Sequence, residues 1–190
     1  MVNDPPALNI DRLPLILAGP ILRHTTPEIV TVWVALRLPA RVSLQVHITG
    51  DRGSTIDRSI ANGSRKTVTV GTSLHIVAVT ATNAEGKLLQ RGEIYAYDLK
   101  FTVAETTSNL AAALSSEEYP SVNISYFHHD LPTFVLPPLD LNRVKIAHGS
   151  CRKPHGEGRD AVAILDQILA ANDDNPANRR QQLFLNGDRI

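Results

Sequence analysis

The sequence predicts a mostly β chain: a β-sandwich, then a linker, then the incomplete start of an α/β unit. Three observations carry that reading. Val30, Val32, Val34 and Leu36 alternate with Thr31, Trp33, Ala35 and Arg37, and Val42, Leu44, Val46 and Ile48 alternate with Ser43, Gln45 and His47. This period of two marks half-buried strands. Prolines at 120, 132, 137 and 138 then break the pattern. Beyond Arg143, two short apolar runs flank a stretch with helical periodicity, the signature of a parallel pair joined by a crossover.

Taken in order, residues 1–12 form a flexible leader and residues 13–103 the sandwich. After the two alternating strands, Gly50 to Lys66 is turn-rich, and Thr67–Val70, Leu74–Thr80 and Glu93–Phe101 read as further strands. Asn83-Ala84-Glu85-Gly86 supplies a turn between two of them. Short strands punctuated at this spacing predict a sandwich. The run Leu89-Gln90-Arg91-Gly92-Glu93-Ile94-Tyr95-Ala96-Tyr97 resembles the corner of immunoglobulin and fibronectin-type sandwiches, where a tyrosine on the incoming strand hydrogen-bonds back across the turn. Tyr95 and Tyr97 serve equally as packing residues.

Residues 104–142 read as a linker that packs, because Val135-Leu136-Pro137-Pro138-Leu139 is apolar enough to lie against a surface. His128-His129 within it reads as a packing or solvated pair. Residues 143–190 begin the α/β unit. Val144–His148 is a strand, and Asp160–Asn172 is a helix with Ala161, Ile164, Leu165, Ile168 and Leu169 on one face. Asp160 is placed to cap it. Leu183-Phe184-Leu185 is the second strand. So short a unit lacks the means to cover the apolar face of its own helix.

Composition narrows the function classes. Lys and Arg total 19 and so do Asp and Glu, which gives no global attraction to nucleic acid or to an anionic membrane. One cysteine excludes an intrachain disulfide. No apolar stretch approaches the roughly 20 residues that span a bilayer. Met1 to Asp11 lacks the charged and apolar regions of a secretory signal, so a cytoplasmic location is expected and the sequons at Asn62 and Asn123 read as chance matches.

In open α/β sheets, ligands bind outside the carboxyl ends of the strands. His148-Gly149-Ser150-Cys151-Arg152-Lys153 follows the first strand and Asn186-Gly187-Asp188 the second. A thiolate at Cys151 and a carboxylate at Asp188 would pair a soft donor with a hard one. Arg152, Lys153 and His155 offer charge and donors to a phosphate. The same residues have plainer roles: a lone cysteine serves as a small buried hydrophobe, Asn186-Gly187-Asp188 is a competent turn, and His148 can close its strand. Gly156-Glu157-Gly158-Arg159-Asp160-Ala161 also fits a dinucleotide-binding pattern, with Asp188 as the ribose-binding acid. Its first glycine stands about seven residues too far from the strand, and its acids would face the pyrophosphate.

Ile146-Ala147-His148-Gly149-Ser150-Cys151-Arg152-Lys153-Pro154, followed by Leu183-Phe184-Leu185-Asn186-Gly187-Asp188, resembles the opening of the alkaline phosphatase D-like (PhoD-like) metallophosphatases. Gly19-Pro20-Ile21-Leu22-Arg23 through Val34 is similar to their N-terminal immunoglobulin-like domain. The resemblance implies that Cys151 ligates an iron-type ion and that Asp188 bridges it to a second ion of calcium type. It implies a phosphoester substrate, with Arg152 as phosphate-binding residue, and it assigns no catalytic residue beyond the metal ligands. It covers only the front of the family's catalytic domain. The chain is therefore expected to be a piece of the enzyme, inactive alone and unable to hold the metals stably. The alternative is a non-catalytic β-sandwich module that binds a partner.

Overall fold

The computed structural model describes residues 9–83, 85–150 and 162–187. A 3₁₀ turn at Ile10–Arg12 leads into β1 (Ile16–Thr25), β2 (Ile29–Leu36), β3 (Arg41–Gly50), β4 (Thr55–Lys66), β5 (Val68–Gly71), β6 (Leu74–Thr82) and β7 (Ile94–Val103). Then come β8 (Thr106–Ser108), the short helix α1 (Leu110–Ala113) and β9 (Thr133–Val135). These nine strands form one antiparallel sheet in the order β1-β2-β6-β4-β3-β7-β8, with β5 on β6 and β9 on β7.

The alternation seen in the sequence fixes which side of each strand is buried. Val30, Val32, Val34 and Leu36 of β2 are fully buried, as are Val42, Leu44 and Val46 of β3. Their register partners continue the apolar layer: Val79 and Val77 of β6 lie beside Val32 and Val34, and Phe101, Leu99 and Tyr97 of β7 lie beside Val42, Leu44 and Val46. All these buried residues belong to a single core cluster, so the sheet curls until its two halves share one interior. Each fully buried Val or Leu contributes on the order of 1.5–3 kcal/mol. The outermost strand β1 tolerates Pro20 because it pairs only with β2, and an edge strand can lack one donor.

The curl turns at Gly63. There β4 meets β6 through one register pair, Asn62 with Thr82, and a Cβ built on Gly63 would stand 1.9 Å from the Thr80 carbonyl oxygen. Only glycine permits so close a backbone approach. The strand that carries it corrects the sequence reading, which took Gly50 to Lys66 as turn-rich. Thr55–Lys66 is a twelve-residue strand in which only Ala61 is buried. It is held by its ladder to β3 rather than by an apolar face.

The corner hydrogen bond expected before β7 is present: the Gln90 N–H donates to Tyr95 Oη at 2.7 Å. The Tyr95 ring packs against Phe134, with centroids 5.7 Å apart. Phe134 arrives from the connector, whose Val135 and Leu136 are also buried, whereas Leu139 is exposed. His129 is a packing residue. Its ring stacks on Phe127, its Nδ1 accepts from the Leu131 N–H, and its Nε2 lies 2.8 Å from the Gly53 carbonyl oxygen. A nitrogen that accepts at Nδ1 leaves Nε2 to carry the proton and donate, which defines the tautomer.

The remaining elements are β10 (Ile146–Ser150), α2 (Val162–Ala170) and β11 (Gln182–Asn186). β10 and β11 form a separate two-stranded parallel sheet, as the strand–helix–strand reading predicts. Parallel sheets are normally covered on both faces. Here Ile146, Leu183 and Phe184 of the strands and Ile164 of the helix are exposed, and no described residue of α2 is buried.

Candidate functional site

The register of the parallel pair runs Ile146 with Gln182 through Ser150 with Asn186, so the two strands end side by side at one edge. Upstream, the Gln181 N–H donates to the Lys145 carbonyl and the Lys145 N–H donates to Gln181 Oε1, which sets that register from its first residue. Downstream, Gly187 has φ 76°, a left-handed conformation that lets the chain turn sharply as it leaves β11. His148 stands exposed on β10 with Phe184 as its register partner.

Cys151 and Arg152, which the sequence singles out after β10, lie outside the described residues, and so does Asp188 after β11. Lys153, His155 and the Gly156–Ala161 motif also lie outside them. The described structure therefore brings together the strand ends from which these segments depart, Ser150 and Asn186. Among the described residues no group of three or more His, Cys, Asp or Glu side chains converges as a metal cage would. By donor chemistry, one thiolate and one carboxylate fit a corner of a metal centre; zinc sites use four ligands and iron–calcium pairs use more. Any further ligands would have to come from other residues.

Two contacts that periodicity does not reveal hold this unit against the connector. Tyr126 Oη donates to Asp166 Oδ1 of α2 at 2.7 Å. Arg179 Nη2 donates to both the carbonyl oxygen and Oγ1 of Thr133, each at 2.9 Å. Burial, together with the bond to Asp166, pushes the Tyr126 phenol up to about 12. Burial also lowers the Arg179 guanidinium from its ordinary value, against the opposing charge of Asp173. A tyrosine in a polar connector and an arginine in the Asn175–Arg180 loop carry no pattern that foretells this pairing. No helix among the described residues is long and apolar enough to cross a membrane.

Compared with known proteins, the chain matches no family model and no curated protein.

Proposed function

We propose that the chain is the front part of a metal-dependent phosphoesterase of the alkaline phosphatase D-like kind. In this reading residues 13–103 are an immunoglobulin/fibronectin-like sandwich, residues 104–142 a packed linker, and residues 143–190 the opening of the catalytic domain. The observation that carries it is the parallel register ending at Ser150 and Asn186, with Cys151 one residue beyond and Asp188 two residues beyond in sequence. Cys151 would hold an iron-type ion and Asp188 would link it to a calcium-type ion. Such a pair, when bound, supplies Lewis acidity at phosphoryl oxygens and an activated hydroxide. Arg152 would orient the phosphate of a mono- or diester through its paired N–H donors.

The uncovered apolar faces of β10, β11 and α2 support the view that this unit is one layer of a larger sheet. On this reading the chain by itself is inactive. Cobalt(II) titration of the purified chain should give a thiolate-to-metal absorption band that Cys151→Ser abolishes and Asp188→Asn weakens. No band at millimolar cobalt, with the thiol shown to be reduced, would sink the metal assignment. Metal-dependent turnover of a simple phosphoester by these 190 residues would sink the inactivity.

A second reading has its own observation. The core cluster lies within the curled sheet, α1 and the connector, and takes no residue from β10, α2 or β11. That favours a non-catalytic binding module to which the parallel unit merely docks. A chain shortened after residue 142 that unfolds with the same urea midpoint as the whole would support it, provided the cobalt band is also missing.

A further inference from the structure

We propose that the cleft between the Ile10–Arg12 turn, the end of β2 and α1 binds a small organic carboxylate through the Arg37 guanidinium. The cleft has a volume of about 570 Å³, within the range of small-molecule sites. Arg37 follows directly on β2, and its backbone N–H donates to the Leu15 carbonyl at 2.9 Å, which anchors the residue at the wall. Its side chain is only 20% exposed. The Nε–H is buried, with no hydrogen-bond partner among the described residues. Buried donors in folded proteins are almost always satisfied, so an open one on a cleft wall calls for an acceptor from outside.

The neighbouring polar groups are already engaged. Arg12 is bonded to Glu118, Ser116 Oγ donates to the Arg12 carbonyl at 2.7 Å, and Ser115 Oγ donates to the Ala111 carbonyl at 3.2 Å. Asp11 stands 3.8 Å from Arg37 Nη1, beyond hydrogen-bond distance, with its carboxylate almost wholly in solvent. Arg37 therefore presents a planar fork whose Nε edge is unclaimed, a geometry matched to a carboxylate.

The rest of the lining selects among anions. Leu13, Leu15 and Ala112 give an apolar wall, while Asp11 and Glu117 add negative charge. A multiply charged anion would be repelled by that charge, whereas a monoanion with an apolar body meets both surfaces. No lining residue belongs to β10, α2 or β11, so the site is distinct from the one discussed above.

The test is a titration of the full chain with 4-methylpentanoate, and separately with inorganic phosphate, followed through the Arg37 Nε–H resonance in nitrogen-15 spectra. The expected result is a saturable shift in the millimolar range with the carboxylate, and binding of phosphate weaker by about tenfold or more. Arg37→Lys keeps the charge but loses the fork and should weaken carboxylate binding by about tenfold or more. Ala112→Leu narrows the cleft without touching Arg37. It guards against a folding defect in the arginine variant and should weaken binding as well. An Nε–H resonance that does not respond, phosphate binding as tight as the carboxylate, or unchanged binding in the Ala112 variant would each overturn the proposal.

Discussion

Replacing Tyr95 with phenylalanine removes a single oxygen from the corner before β7. The ring can stay where it is, against Phe134 with centroids 5.7 Å apart, so no cavity opens. What is lost is the 2.7 Å bond from the Gln90 N–H. Tyr95 is 4% exposed, yet Gln90 is a surface residue whose amide can turn partly to water. The cost should therefore sit near the net value of one hydrogen bond, about 1 kcal/mol, rather than at the penalty for a fully buried orphan donor. For a chain of this size that lowers the melting midpoint by roughly 2–4 °C. The chain has one tryptophan, Trp33 on β2, in the other half of the curled sheet from Tyr95. Urea unfolding followed by Trp33 fluorescence thus also asks whether the two halves melt together. The midpoint should fall with an unchanged slope. A midpoint within about 0.3 kcal/mol of the parent would refute the idea that this bond fastens the corner. A normal Trp33 transition beside an early one seen at β7 would refute the shared core.

Three further outcomes follow from contacts already described. Gly63→Ala places a methyl 1.9 Å from the Thr80 carbonyl oxygen, so β4 and β6 must separate. The loss should be about 3 kcal/mol or more in the same urea assay, and a loss under 1 kcal/mol would mean the curl has slack. Tyr126 titrates late, since its phenol moves from an ordinary 10.0 to about 12. Because the folded state holds this proton more tightly, its contribution is fully present below pH 10 and is lost as pH rises toward 12. Absorbance titration at 295 nm should show one fewer late-ionising phenol in Tyr126→Phe, and an identical alkaline limb in the two proteins would contradict the Asp166 bond. Arg179→Met keeps the aliphatic stem but frees both Thr133 acceptors. Amide exchange in β10 and β11 should quicken while that of β2 and β3 is unchanged. Faster exchange throughout would show that Arg179 supports the main sheet instead.

Legibility in the sequence tracked how each element earns its burial. β2 and β3 are plain because Val30 to Leu36 and Val42 to Ile48 put every second side chain into the core. β4 is not, because Asp57, Arg58, Ser59, Asn62 and Ser64 give it no apolar face and backbone pairing with β3 holds it in place. The corner was readable since Tyr95 and Gln90 are local to each other. The parallel pair was readable from two apolar runs around a helical one, and its strand ends with it. The Tyr126–Asp166 bond and the Arg37 cleft were not, because each joins residues some forty to eighty positions apart through tertiary folding. No local pattern encodes such meetings.

The parallel pair also has a place in time. Its first contact, Lys145 with Gln181, closes a loop of 36 residues before any of its own bonds form. The closure entropy is modest, yet little apolar burial follows to offset it, since Ile146, Leu183 and Phe184 stay in solvent. The curled sheet, with its shared core, has reason to assemble first, and β10 and β11 to join last and part first. The edge that gathers Ser150 and Asn186 is thus the most easily undone part of the fold, and anything that bound there or covered its apolar faces would act chiefly by keeping the pair closed.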